Sequence, residues 1–101
     1  MKRELPPIPR SIMLPAGRAY VVRERGLQER EQSVGKFCWS TRIITLDADL
    51  KGSAAWLTLA HERVHVVLID AGVQLPEELE ERVADALAQD AVADMVRKLN
   101  R

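Results

Sequence analysis

From Ala54 to Ala71 the chain reads AAWLTLAHERVHVVLIDA, with no proline or glycine to interrupt it. Trp56, Leu59, Ala60, Val64, Val67 and Leu68 recur at helical spacing, which predicts a single long helix. Ser53 is a good N-cap for a helix starting at Ala54. Gly72 suits the left-handed C′ position just past its end. The helix is nearly apolar all round, and such a helix belongs in the middle of a domain. A chain of 101 residues has material for one small core, so the remaining elements must be arranged about this helix.

What precedes it reads as β-structure. Residues 1–10 carry three prolines and four charges, a loosely attached N-terminal arm. Ile12-Met13-Leu14 predicts a short strand, stopped by Pro15 and Gly17. Arg18 to Glu24 is rich in aromatic and β-branched residues and predicts a second strand. The polar segment from Gly26 to Gly35 predicts a loop or distorted turn. Phe37-Cys38-Trp39 and Arg42–Leu46 predict a tight hairpin about Ser40-Thr41, ended by Asp47-Ala48-Asp49. After Gly72 a second helix opens at Pro76, with Glu77 and Glu78 at its positive end, and runs to about Leu99. The expected fold class is α+β. A single domain over 11–101 has about three antiparallel strands packed on the central helix, with the C-terminal helix closing the other side.

The two histidines of the chain, His61 and His65, both lie on the central helix, four residues apart, with Glu62 directly after the first. Positions i and i+4 share a helix face, so both imidazoles can reach one ion. Glu62 is one step round, poorly directed for a ligand but within reach of a water on that ion. HExxH on a helix is the zincin arrangement: two histidine ligands to Zn²⁺ and a glutamate general base. Without a metal, three polar groups on an apolar helix would each need a partner. A catalytic zinc needs a third protein ligand, and with no further histidine and no suitable cysteine it must be a carboxylate. On a helical wheel, Val83, Ala84, Leu87, Ala91 and Met95 mark the inner face of the second helix. Glu80 falls within that face, and Glu77 and Glu81 flank it.

The segment Glu81-Arg82-Val83-Ala84-Asp85 resembles the E-x-x-A-D signature of gluzincins, which also occurs in ImmA/IrrE-type peptidases and one-domain minigluzincins. Thr58, Val64, Val66 and Val67 fit the usual frame of the histidine motif; Arg63 departs from it. Ile8-Pro9, Gly17 to Val22, Gly35 to Asp47 and Asp70-Ala71-Gly72 follow the order seen in short zincin-like proteins of phage and bacterial genomes. The resemblance implies a zincin-like domain with Glu81 as third ligand and Asp85 as the residue that orients a zinc-bound histidine. It implies a zinc metallopeptidase in which Glu62 takes a proton from the zinc-bound water and returns it to the leaving amine. The alternative is a non-proteolytic zincin-like accessory or binding protein.

For such an enzyme the partner is a peptide or protein substrate, which the Arg42–Leu46 strand would bind by strand addition along its edge. Tyr20, Arg42 and Arg82 are the candidates for stabilising the oxyanion. A net charge of zero gives no bulk reason to expect nucleic acid or a membrane surface. The charge is uneven, however: residues 38–101 hold seven Lys/Arg against eleven Asp/Glu, which suits a cation site. A lone cysteine, Cys38, excludes an intramolecular disulfide and fits a reducing cytoplasm. The N-terminus has no continuous apolar stretch of the kind a secretion signal needs. A monomer is the favoured state.

Overall fold

The computed structural model describes residues 4–101. It is an α+β domain in three layers, a mixed sheet, a central helix and an outer helix. Strand β1 (Ser11–Leu14) and strand β2 (Gly17–Glu24) pair antiparallel through a turn at Pro15-Ala16. A short helix α1 (Leu27–Glu31) follows, then β3 (Gly35–Cys38) and β4 (Ile43–Asp47). The long helices are α2 (Gly52–Ala71) and α3 (Glu77–Leu99).

The sheet departs from expectation in two ways. It has four strands, in the order β1-β2-β4-β3, and β2 pairs parallel with β4, Tyr20 opposite Ile43 through Glu24 opposite Asp47. A parallel pair needs a long crossover, which α1 and β3 supply. Consequently β4 is an interior strand and offers no edge to a peptide. The free edge on that side belongs to β3. Arg42 lies outside β4, in the left-handed region at φ 54° within the hairpin turn.

The core lies between the sheet and α2. Leu14, Ala19, Val21, Ile44 and Leu46 point from the sheet onto Leu59 and Val66 of the helix. Each fully buried branched side chain here contributes about 1.5–3 kcal/mol of apolar burial. Along β2 the alternation is clean: Ala19 and Val21 face α2, and Tyr20 and Val22 face away. On the opposite side, Ala84, Ala88 and Val92 of α3 are buried. The helical wheel had placed Leu87 and Ala91 on this inner face; both are exposed. Alanines at the contact let the two helix axes approach closely.

Helix α2 starts at Gly52, two positions earlier than expected, and no side chain, Ser53 included, caps it. Its C-terminus follows expectation. Gly72 is left-handed at φ 70°, its N–H donates to Ile69 O, and that of Val73 donates to Leu68 O. The expected loop from Gly26 to Gly35 contains α1. The buried Leu27 anchors it, and the Asp47 carboxylate accepts from Gln28 N at 2.9 Å. Of the 1–10 arm, residues 1–3 lie outside the described residues. Residues 4–10 have no helix or strand, but Pro6 O accepts from Trp56 Nε1 at 2.7 Å and Ile8 packs on the core. The groove they line includes none of the histidines or carboxylates of the site described below.

Two close contacts hold these layers in register. Arg42 donates twice to Asp70, at 2.9 and 3.0 Å, and again to Gly17 O and Arg18 O. It thereby ties both hairpin turns to the end of α2. The Arg42 hydrogen bonds hold the Asp70 carboxyl below the usual aspartate range. A depressed carboxylate stabilises the fold above its unfolded value of about 4, and the contribution disappears as pH falls through the folded value. Asp70→Asn is therefore expected to be less stable than the parent at pH 7. The difference should close towards pH 3 in paired denaturation curves; a constant gap would show that the charge is not responsible.

The second contact is at Gly35. A Cβ there would lie 2.6 Å from Thr58 Cγ2 and 3.4 Å from Glu62 Cγ. The edge strand thus sits directly on α2, one turn from the histidine motif. Gly35→Ala is expected to cost about 1–3 kcal/mol by overpacking, read from the denaturation midpoint. An unchanged midpoint would mean that β3 and α2 are not in such contact.

Candidate metal centre

His61 and His65 project from α2 towards α3, and Glu81 on α3 meets them. His61 Nε2 and His65 Nε2 are 3.0 Å apart. Glu81 Oε1 is 2.9 Å from His65 Nε2, and Oε2 is 3.2 Å from His61 Nε2. These three side chains form a group that could hold a metal ion. An ion about 2.0–2.2 Å from each ligand atom would sit among atoms at this spacing.

The chemistry of the donor set fits a cation. His61 Nδ1 is 2.8 Å from Asp85 Oδ1, and His65 Nδ1 is 2.5 Å from Glu80 Oε2. A carboxylate at Nδ1 fixes the proton there, which leaves each neutral ring a lone pair at Nε2. Two ring nitrogens and a carboxylate then converge on one point. Glu62, Glu80, Glu81 and Asp85 add four carboxylates, and among the described residues none is bridged to a lysine or arginine. The group could hold a metal ion, and a cation there would offset part of this negative charge.

The sequence explains how α3 delivers these groups. The buried stripe Ala84, Ala88, Val92 points at α2. At about 100° per residue, Glu81 falls close to the centre of that stripe, with Glu80 and Asp85 on its two borders. The wheel had centred on Val83 and Leu87 and so drew Glu80 inward as a ligand candidate. In the structure Glu80 stands behind His65, and Glu77 takes no part in the group. Nothing in the sequence reading gave Glu80 its orienting position. The available signal was two carboxylates, at −1 and +4 from Glu81, facing two histidines that each need a partner for Nδ1. Accordingly, Glu80→Gln is expected to weaken metal binding by about 10–100-fold, and Glu81→Gln by more. Competition with a chromophoric chelator reads both, and equal affinities in Glu80→Gln and the parent would reject the orienting role.

Glu62 lies on the side of α2 that faces Gly35. Burial pushes its carboxyl above the ordinary glutamate value, a rise that the two imidazoles oppose and Glu81 reinforces. It bonds neither histidine, so it stands beside the metal-ligand group and not in it. The oxyanion candidates are mostly elsewhere. Tyr20 is on the far face of the sheet, Arg42 is committed to Asp70, and Arg82 is exposed on α3.

Beside His61 and Glu62 is a half-open cavity of 330 Å³, lined by the residues at the start of β3, α2 and α3. Among the described residues no helix is long and apolar enough to cross a membrane. The chain matches no known protein family, no curated protein and no solved structure.

Proposed function

We propose that this protein is a zinc-dependent metallopeptidase. The observation that carries the reading is the convergence of three groups able to ligate a metal, His61 Nε2, His65 Nε2 and the Glu81 carboxylate, with a partly buried carboxylate alongside. Two imidazoles and one carboxylate from helices are a ligand set of catalytic zinc, and they leave one position free for water and substrate. Zinc held there supplies Lewis acidity, lowering the pKa of its water towards about 7 and polarising a carbonyl.

The chain's own residues do the rest. Glu62 accepts the proton of the attacking water and returns it to the leaving amine, and a raised carboxyl pKa suits a group that must do both. Asp85 and Glu80 hold the two imidazoles in the tautomer that presents Nε2. An extended peptide adds to the free edge of β3, whose first residue, Gly35, packs against Glu62. Edge pairing would draw its backbone past the metal group.

The test is elemental analysis of the purified protein together with cleavage of an unfolded protein substrate. One equivalent of zinc, with cleavage abolished by chelator and restored by zinc, is the expected result. Stoichiometric iron would point to oxygen chemistry, since two histidines and a carboxylate also bind Fe(II). One equivalent of zinc without any cleavage would favour a binding protein.

A further inference from the structure

We propose that the cavity beside Glu62 receives a lysine or arginine side chain adjacent to the scissile bond. The inference rests on the peptidase reading and adds to it the class of substrate. Val34, Leu57 and Ala88 give the cavity apolar walls, which suit the methylene stem of a long side chain. Its titratable lining is His61, Glu62 and Asp85, and among the described residues no lysine or arginine contributes to it. Asp85 uses one carboxylate oxygen on His61, and a carboxylate can accept several further hydrogen bonds. Gln89, one turn further along α3, adds an amide at the same wall.

The charge balance points the same way with the metal in place. Glu62, Glu80, Glu81 and Asp85 bring four negative charges against two positive charges of zinc and two neutral imidazoles. The site keeps a net negative charge, and Glu62 and Asp85 bring part of it to the cavity lining. A cationic side chain is attracted there, an acidic one repelled, and an apolar one of equal length gains only the walls. Helix α3 thus supplies the metal ligand and the specificity wall together.

The experiment measures binding of peptidyl hydroxamates to the zinc-loaded protein by calorimetry, with cleavage of a peptide library as a second readout. The hydroxamate anchors each probe on the metal, and the probes differ in one side chain: lysine, norleucine or glutamate. Lysine is expected to bind about three- to tenfold more tightly than norleucine, and glutamate more weakly than either. Gln89→Lys places an ammonium at the cavity wall and should bring lysine below norleucine and raise glutamate, at unchanged zinc content. Equal binding of lysine and norleucine would overturn the proposal, as would a library cut without preference for basic residues. The expected probe ranking without any peptide cleavage would uphold the cavity's selectivity and remove the peptidase reading. Absence of hydroxamate binding by a zinc-loaded chain would remove both.

Discussion

Glu62→Gln is expected to lower peptide hydrolysis by about 10²–10⁴-fold, the usual worth of a general base, while leaving zinc bound. The amide has the size of the carboxylate but cannot take a proton from water. The separation of the two effects follows from position. Glu62 sits one residue past His61 on the α2 face turned towards β3, whereas His61 and His65 meet Glu81 of α3. Its substitution should therefore leave the zinc content within error. The melting temperature should hold or rise slightly, because a partly buried carboxylate resists its charge. Two results would break this account. Parallel loss of zinc and activity would make Glu62 part of the metal-binding set. Full activity in the variant would mean that another group takes the proton.

How much of this was written in the sequence follows the range of the interactions concerned. Helix α2 was legible because its periodicity, its freedom from proline and glycine, and Gly72 are all local signals. The two histidines four residues apart needed only helical geometry to share a face. The parallel pairing of β2 with β4 was not legible: each strand shows its own alternation, but nothing local tells β2 which partner fills the space beside it. Helix α1, at five residues, is too short for a period of its own, and it depends on Leu27 and on Asp47 from the sheet. The rotation of α3 was misjudged for a different reason. A wheel weights Leu87 over Ala88 because leucine is more apolar. Close approach to α2 selects the smaller residue, and carboxylates on α3 reach the imidazoles only at close approach. Close approach of two helices favours alanine in this way, so the grouping of His61, His65 and Glu81 was legible from the motif and not from hydrophobicity.

His65→Ala should remove metal and metal-dependent stability together, which sets it apart from the Glu62 variant. On the proposed reading, zinc would bind the folded parent and not the unfolded chain, because His61, His65 and Glu81 from two helices converge only after folding. At a thousandfold excess over the dissociation constant this is worth about 4 kcal/mol. For a domain of this size it amounts to a rise of roughly 15 °C or more on adding zinc to chelator-treated protein. The His65→Ala chain keeps His61 and Glu81, but two ligands do not hold zinc as three do, so the zinc-dependent rise should nearly vanish. In chelator the ordering is less one-sided. The apo parent holds two imidazoles and the Glu81 carboxylate close together, and removing one imidazole thins out that crowded polar group while leaving Glu80 without its partner. The two apo proteins are therefore expected to melt within a few degrees of one another, at about 1 kcal/mol, the ordinary size of a single-residue effect. Thermal melts of both chains, with and without zinc, give all four values. A zinc-dependent rise in His65→Ala equal to that of the parent would place the metal elsewhere, and a large apo difference would make His65 a structural residue first.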